Sequence, residues 1–343
     1  MKTVLLTGPF KTEIVDIPAP ELPKGGLLLT NRACGICGSD VRAWGQGTHG
    51  RGGIGHEVVG VISEASRQAL KAGWKPGIRV IPVPVACGHC RYCLSGNEQM
   101  CPDRAHAGFE GPGGFSEILP VPSVTVQSHG LLCVPDGLDD IEAVLCEPLA
   151  CVLNGQEKLS IGPGKSVCVI GAGPIGVSHA LLARKRGASR VFLLDIKSRR
   201  LALAQWVGAD EYIDSSVNSP VEEVMRLTEG HGVDFVIVCC SSPEVQADAV
   251  HMAARLGCVL YFSSVARDAE MVPINIQAVH RREITLIGSR NAARKHFALA
   301  LDMLARESWR RLVTHTIPLD DTQQGFEIVK SGEAMKVVVQ MEV

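Results

Sequence analysis

Two patterns of apolar and polar positions divide the chain. Up to about residue 130, short segments of alternating polarity are separated by turn sequences such as Lys24-Gly25-Gly26 and Lys75-Pro76-Gly77. This pattern predicts an irregular, mostly β unit. From Ser166 onward, apolar runs alternate with longer stretches at helical spacing, which is typical of a doubly wound parallel sheet. The strands predicted there are residues 166–170, 190–195, 233–239, 257–263 and 283–288.

The two ends of the chain return to strand-like patterns. Residues 1–8 predict a first strand, and residues 312–317 and 335–341 predict two strands near the C-terminus. Residues 273–283 are interpreted as a connection. A helix is predicted after it, because four apolar residues repeat at helical spacing: Phe297, Ala300, Leu301 and Leu304.

Length, charge and cysteine content restrict the class of protein. A chain of 343 residues is long enough for two hydrophobic cores. A net charge of -2 without a basic stripe argues against nucleic acid or an anionic membrane as a partner. No secretion signal is visible, and no apolar run reaches the roughly 18 residues of a membrane span. Thirteen cysteines then fit reduced thiols and metal ligands, so we expect a cytoplasmic protein.

The densest chemical signal is a group of four cysteines. Cys87, Cys90, Cys93 and Cys101 are separated by two, two and seven residues. Four thiolates on short glycine-containing loops suit a tetrahedral zinc ion and leave no coordination position for a substrate. The alternatives are two disulfides, unrelated buried thiols or an iron–sulfur cluster. The spacing therefore favours a structural zinc.

A glycine-rich turn follows the first strand of the parallel sheet. It reads Gly171-Ala-Gly173-Pro174-Ile175-Gly176 and opens a predicted helix. Gly171 permits the tight turn, Gly173 lets the backbone approach a pyrophosphate, and Gly176 allows the helix to pack against the strand. The helix amides face the phosphates. A turn without a ligand is the alternative, but the strand before it and the helix after it favour a dinucleotide site.

Asp195 closes the second strand, nineteen residues beyond Gly176. Its carboxylate can accept hydrogen bonds from the ribose hydroxyls and would repel a 2'-phosphate, which favours NAD over NADP. Three basic residues nearby weaken this preference because they could offset the repulsion: Lys197, Arg199 and Arg200.

A second group of metal ligands is spread over two segments. Cys37 follows a strand-like run, and His56-Glu57 begins another. A catalytic zinc takes three protein ligands and keeps an open position, where it acts as a Lewis acid. Taken singly, Cys37 fits a buried thiol and His56 a core histidine. Spacing alone does not join them.

Taken together, these motifs resemble one family along nearly the whole chain. The segments are residues 35–40, 55–57, 87–101, 113–117, 147–149 and 171–176, in this order. They resemble the zinc-dependent medium-chain dehydrogenases/reductases, and within that family the polyol and threonine dehydrogenase branches. The resemblance implies an α/β protein with a GroES-like, mostly β catalytic domain and an inserted Rossmann domain, with zinc in the cleft between them. We place the catalytic domain at residues 1–155 and 290–343 and the NAD-binding domain at residues 156–289.

The resemblance also implies roles for single residues. Cys37 and His56 would bind the catalytic zinc, and Glu57 or Glu147 would supply the carboxylate ligand or stand behind the bound water. Ser39 would pass the proton outward, while Asp40 would orient the His56 imidazole. Arg200 and Lys336 lie where relatives contact the cofactor. A purely structural reading remains for three of these residues, as helix caps or a carboxylate at a helix start: Ser39, Asp40 and Glu147.

Two features depart from the family pattern. Arg42 stands where many relatives have a histidine that ends the proton relay, and arginine stays protonated. His49 or solvent would then take the proton, or the relay is shorter. Arg42 could instead pair with a carboxylate or phosphate on the substrate, or lie on the solvated surface. The segment between Cys37 and His56, with 18 intervening residues, is short for the branch. It is glycine-rich from Gly45 to Gly55 and is expected to line the substrate pocket.

These observations lead to one main functional hypothesis. We expect an NAD-dependent zinc enzyme that oxidises a secondary hydroxyl of a polyol, cyclitol or sugar derivative, with two zinc ions per subunit in a homotetramer or homodimer. A threonine or amino-alcohol dehydrogenase fits the same motifs. A noncatalytic zinc- and nucleotide-binding protein is the alternative from another class. The simultaneous presence of five residues argues against it: Cys37, Ser39, His56, Glu57 and Glu147.

Overall fold

The chain folds into two compact units. The computed structural model describes residues 1–47, 53–106, 111–266 and 269–341. One unit comprises Met1–Ala150 and Ala292–Val343, and the other comprises Cys151–Asn291. The predicted division, 1–155 with 290–343 and 156–289, falls within a few residues of these bounds. Each unit has its own hydrophobic core.

Strands and helices follow one another along the whole chain. The strands are β1 (Lys2–Gly8), β2 (Lys11–Asp16), β3 (Leu27–Gly35), β4 (Glu57–Ala65), β5 (Arg79–Pro82), β6 (Ile118–Val121), β7 (Leu131–Cys133), β8 (Ser166–Ile170), β9 (Arg190–Asp195), β10 (Glu211–Asp214), β11 (Val233–Val238), β12 (Ala253–Tyr261), β13 (Thr285–Gly288), β14 (Val313–Pro318) and β15 (Lys336–Gln340). The helices are α1 (Gly38–Gln46), α2 (Arg67–Lys71), α3 (Arg91–Leu94), α4 (Ser123–Gln127), α5 (Asp140–Ala143), α6 (Cys146–Glu157), α7 (Pro174–Lys185), α8 (Ser198–Leu203), α9 (Pro220–Leu227), α10 (Pro243–Met252), α11 (Ile276–Arg282), α12 (Arg294–Arg306) and α13 (Thr322–Ser331).

The first unit is built on a seven-stranded sheet. Its strand order is β14-β15-β3-β4-β5-β7, with β6 also paired to β3. The long central strand β3 is buried along almost its whole length, because β4, β6 and β15 all pair with it. Val338 of β15 lies opposite Gly35 of β3. The sheet therefore brings residues from both ends of the chain together at the end of β3.

The second unit is a doubly wound parallel sheet. Its six strands run in the order β10-β9-β8-β11-β12-β13, and every neighbouring pair is parallel. The central strands are apolar because helices cover both faces of such a sheet. The order is that of the Rossmann fold, in which ligands bind at the carboxyl ends of the strands. The predicted fold class, a GroES-like unit with a Rossmann unit, is confirmed.

Most predicted elements are present, with small changes at their ends. Strands β8 and β9 have the predicted bounds. The interpretation of residues 273–283 as a connection alone is wrong, because α11 occupies Ile276–Arg282. No side chain of this helix is fully buried, and only Val279 packs against the core of the second unit, so its apolar pattern is too short to indicate a helix. The edge strand β10 was not predicted, since its four residues include only two apolar ones, Tyr212 and Ile213.

In the part of the chain that the structure describes, no helix is both long enough and apolar enough to span a bilayer.

Candidate functional site

Four cysteine thiols converge in the lobe at residues 87–101. All four Sγ atoms lie within 4.8 Å of one another. The Sγ atoms of Cys90 and Cys93 are 3.4 Å apart, too far for a disulfide bond of about 2.05 Å. The backbone N–H of Cys87 donates to the Cys101 sulfur at 3.4 Å. The short helix α3 and the turns around it thus bring together the four predicted ligands.

The electrostatics of this lobe fit a cation. A hydrogen bond from the Cys93 backbone N–H lowers the pKa of Cys90 to about 7. Partial burial and the neighbouring Cys90 thiol raise the pKa of Cys93 to about 12. Four thiolates this close repel one another, and a bound metal would deprotonate them all. Four sulfur donors are the ligand set of a structural zinc and leave no position for a substrate.

Cys37, His56 and Glu57 form a second group of candidate metal ligands. One donor atom from each lies within 4.8 Å of the others. Cys37 is the N-cap of α1, just after β3 ends, and Glu57 is the first residue of β4. Gly35 lies opposite Glu57 in the antiparallel pair of β3 and β4. The register of this pair therefore brings the two segments together, which spacing along the sequence left open.

The fully buried Asp40 organises this group. One carboxylate oxygen accepts the backbone N–H of Cys37 at 2.9 Å, and the other accepts that of Gly55 at 3.3 Å. The second oxygen also lies 3.4 Å from Nδ1 of His56. Asp40 is thus the capping partner of α1 and also lies beside the imidazole, so its predicted role in orienting His56 is compatible with its role as a cap.

The electrostatics at Asp40 and His56 favour a positive charge at the imidazole. Burial by itself would raise the pKa of Asp40, but the charge of His56 and the backbone donors hold it below its usual value. Burial by itself would lower the pKa of His56, but Asp40 and Cys37 raise it well above its usual value. A metal ion would supply the same positive charge. The residues present therefore fit a divalent cation bound by Cys37, His56 and Glu57.

Glu57 is held in a buried ion pair with Lys336. The Lys336 ammonium donates to Oε1 of Glu57 at 2.6 Å and to the Ile36 carbonyl at 2.9 Å. Burial raises the pKa of Glu57, and Lys336 opposes this rise. Burial by itself would lower the pKa of Lys336, but Glu57 raises it. We predicted Lys336 as a cofactor contact, and that role stays a prediction.

The remaining predicted residues lie around this group. Glu147 is half-buried in the first turn of α6, and its charge contributes to the raised pKa of Glu57. Among the described residues, the carboxylate that lies within 4.8 Å of the Cys37 and His56 donor atoms is that of Glu57 and not that of Glu147. Ser39 and Arg42 are exposed on α1. His49 and the rest of residues 48–52 lie outside the described residues.

The structure adds a residue that the sequence did not indicate. The ring centroid of His106 lies 6.4 Å from that of His56, in an edge-on arrangement. His106 lies 50 positions after His56 in a segment without a recognisable motif. Only the folded chain brings the two imidazoles near each other, and no spacing rule would have found this pair.

The glycine turn of the second unit has the geometry of a phosphate cradle. Gly171 has φ of 105°, which glycine adopts without strain. A Cβ atom on Gly176 would collide with the Gly171 carbonyl. Gly173 is the N-cap of α7, and Pro174 and Ile175 follow it in the first turn. A Cβ atom on Gly173 would meet nothing within 4 Å. This open space at a helix N-terminus fits the close approach of a pyrophosphate.

Asp195 fixes the other side of the turn. Its carboxylate accepts the backbone N–H of Ala172 at 2.7 Å and that of Lys197 at 2.8 Å. A guanidinium nitrogen of Arg200 lies 3.7 Å from the same carboxylate. The two predicted cofactor residues are therefore neighbours, and the basic side chain is engaged with the acidic one.

Two family models match the chain. The alcohol dehydrogenase GroES-like domain matches residues 23–130, and the zinc-binding dehydrogenase model matches residues 174–306. The first match lies in the unit that contains both groups of candidate metal ligands. The second match lies mainly in the unit that contains the glycine turn.

Individual relatives extend the similarity over the whole chain. Sorbitol dehydrogenase of Halalkalibacterium halodurans is 30% identical, over 99% of this chain and 98% of the relative. L-threonine 3-dehydrogenase of Bacillus velezensis is 28% identical, over 96% of this chain and 95% of the relative. The structure of a proposed zinc-binding dehydrogenase from Sinorhizobium meliloti, bound to NADP, is 29% identical with a TM-score of 0.86, covering 99% of this chain and 98% of that one.

Proposed function

Because this chain belongs to the family of zinc-dependent medium-chain dehydrogenases/reductases, we propose that it oxidises a secondary hydroxyl of a polyol, cyclitol or sugar derivative with NAD. That it is an oxidoreductase of this family follows from the similarity over its full length. The observation that carries the site assignment is the group of Cys37, His56 and Glu57 within 4.8 Å. It provides three protein ligands for a catalytic zinc.

The residues of this chain divide the remaining work among them. When bound, zinc supplies Lewis-acid polarisation of an alcohol oxygen, and NAD supplies a hydride acceptor. Asp40 holds the proton of His56 at Nδ1 and leaves Nε2 as the donor atom toward the metal. Ser39, exposed in the first turn of the same helix, accepts the substrate proton and passes it outward. Gly173 and the α7 amides bind the cofactor phosphates.

The preference for NAD rests on Asp195. A carboxylate at the end of β9 favours ribose hydroxyls and opposes a 2'-phosphate. Arg200 lies 3.7 Å from this carboxylate, and turning toward a 2'-phosphate would separate the two. NADP is the second candidate, because the Sinorhizobium meliloti structure holds it. Both cofactors therefore belong in the test of activity.

The choice of substrate has two candidates. The similarity to sorbitol dehydrogenase supports a polyol, and the similarity to L-threonine 3-dehydrogenase supports an amino alcohol. Arg42 is exposed on α1, five residues after Cys37, where a guanidinium could meet a carboxylate or phosphate on the substrate. We place the polyol class first and include sugar acids and sugar phosphates in it.

A substrate panel tests this proposal. Initial rates of NADH and NADPH formation would be measured on polyols, cyclitols, aldonates, sugar phosphates and threonine, with zinc-loaded and chelated protein. We expect the highest rate with NAD and a polyol-type substrate, and loss of that rate on chelation. Cys37→Ser should lower kcat/KM at least about 100-fold because a metal ligand is lost. The exposed Cys133 supplies the control variant Cys133→Ser.

Each other outcome has a meaning. The fastest rate on threonine would transfer the assignment to the amino-alcohol class. Turnover that survives complete removal of zinc, or a Cys37→Ser variant with wild-type activity, would contradict the proposed site. A protein that binds NAD and two zinc ions yet oxidises nothing on the panel would favour the noncatalytic alternative.

We also propose that the chain works in the cytoplasm as a homodimer or homotetramer, with a small-molecule alcohol as its substrate and without nucleic acid or membrane partners. The assembly is supported by the edge strand β13 and, elsewhere in the second unit, by exposed apolar side chains that include Leu256, Met271 and Ile276. Open sheet edges and exposed apolar side chains are both features that a partner subunit can cover. Sedimentation would measure the number of subunits.

A further inference from the structure

We infer that Lys336 is a positioning residue that weakens Glu57 as a metal ligand, because its ammonium group already occupies the carboxylate that the metal would share. The inference rests on the proposed zinc site at Cys37, His56 and Glu57. It assigns Lys336 a role in metal affinity in addition to its predicted contact with the cofactor.

The ion pair leaves the carboxylate little freedom. Lys336 Nζ contacts both oxygens of Glu57, at 2.6 Å for Oε1 and more closely for Oε2. The side chains are 3% and 1% exposed, respectively. Gly35 packs against Glu57 so closely that a Cβ atom there would collide with Oε2 and approach the Lys336 side chain within 2.9 Å. The carboxylate is therefore clamped between a cation and a backbone.

The sheet fixes the position of the lysine. Lys336 begins β15, which pairs with β3 so that Val338 lies opposite Gly35. The Ile36 N–H donates to the Val337 carbonyl at 3.0 Å, and the Ile36 carbonyl accepts from Lys336 Nζ at 2.9 Å. The lysine thus comes from 279 residues beyond Glu57 and is anchored to rigid backbone at the metal site.

The charges around the site give the direction of the effect. A divalent cation would be attracted by Cys37, Glu57 and the nearby Asp40, and repelled by the Lys336 ammonium. Few solvent dipoles screen this repulsion in a buried site. Each Glu57 oxygen must also share its lone pairs between the ammonium and the metal. Glu57 is consequently a weak and exchangeable ligand, and Glu147 or a substrate hydroxyl can compete for its position.

Zinc affinity measured without catalysis tests this inference. Zinc-free protein is titrated against a chromophoric chelator, with Cys37→Ser as the reference that keeps only the four-cysteine lobe. Lys336→Met and Lys336→Gln are expected to bind the second zinc at least about tenfold more tightly. The double variant Lys336→Met/Glu57→Gln should lose this gain. Lys165→Met, which removes an exposed lysine paired with Asp234, is the matched control.

A second measurement keeps Lys336 unchanged and replaces Glu57 alone. The Glu57→Gln variant should reduce the affinity for the second zinc by less than about tenfold, a far smaller loss than in Cys37→Ser. Zinc affinity that is unchanged or reduced in folded Lys336→Met or Lys336→Gln would overturn the inference. A Glu57→Gln loss as large as that of Cys37→Ser would do the same. Binding of only one zinc by the wild-type chain would instead refute the proposed function.

Discussion

Asp40 shows how one buried side chain can serve both the fold and the site. It accepts the backbone N–H groups of Cys37 and Gly55 and lies 3.4 Å from Nδ1 of His56. Cys37 and Asp40 are three residues apart and form a local motif at the start of α1, which the sequence could indicate. The contact with His56 spans a longer segment and depends on how β4 lies beside β3.

We therefore predict that Asp40→Asn lowers zinc affinity at the open site about 10- to 100-fold, because the imidazole loses the charge that orients it. The amide keeps the size of the side chain, so the free energy of unfolding should fall by about 1 kcal/mol or slightly more. Zinc titration and thermal unfolding of the same preparation would measure the two effects. Asp320→Asn, which removes an exposed partner of Lys2, should leave zinc affinity unchanged; equal zinc affinity in Asp40→Asn would contradict the assigned role.

The buried His179 in α7 gives a pH dependence that belongs to a single residue. Burial lowers the pKa of His179 to about 3 from its ordinary value of 6.5. Between these values the unfolded chain binds the proton and the folded chain does not. The contribution of neutral His179 to the free energy of unfolding is therefore fully present above about pH 6.5 and is lost as the pH falls toward 3.

We expect the free energy of unfolding to drop by about 3 kcal/mol between pH 7 and pH 4 because of this residue alone. Denaturant unfolding at a series of pH values would show a steeper dependence in the wild type than in His179→Gln. The control is His231→Gln, since His231 is exposed. Parallel pH profiles for the wild type and His179→Gln would refute the prediction.

At the scale of elements, the four-cysteine lobe and the β3–β4 pair differ in how far their stability would depend on a bound metal. The lobe contains only the short α3 and a single turn of 3₁₀ helix at Glu98–Met100, so the proposed zinc would be its main source of stability. The open site instead lies at the ends of buried strands of a seven-stranded sheet, whose side chains pack in the hydrophobic core of the first unit.

Replacing a lobe ligand should therefore affect stability before chemistry. Cys93→Ser is expected to reduce the zinc content from about two to about one per chain and to lower Tm by several degrees. The fraction that stays folded should keep kcat within about threefold of the wild type. Elemental analysis, thermal unfolding and rates per folded chain would test this. The outcome contrary to our assignment is full stability with lost hydride transfer.

At the scale of the whole molecule, local apolar patterns predicted most elements of the fold. The change between alternating and continuous apolar segments predicted a mostly β unit and a doubly wound parallel sheet, and the family resemblance supplied the GroES-like and Rossmann assignment. Strands β8 and β9 lie at their predicted bounds. Two elements that bury few side chains were missed, namely α11 and the edge strand β10. Burial creates the periodicity that a sequence shows, so elements that bury little leave little trace.

The sequence by itself determined the groups whose members lie close along the chain. These are the four-cysteine lobe, the glycine turn with Asp195, and the capping pair of Cys37 and Asp40, in which spacing alone controls whether side chains can meet. Only the tertiary structure brought Glu57 to Lys336 across 279 residues and His106 to His56. The register of β3 with β4 and β15 decides the first of these contacts, and register depends on the whole pattern of buried side chains rather than on any local motif. His106 follows Ala105, which pairs with Val85 across a separate bridge between distant segments.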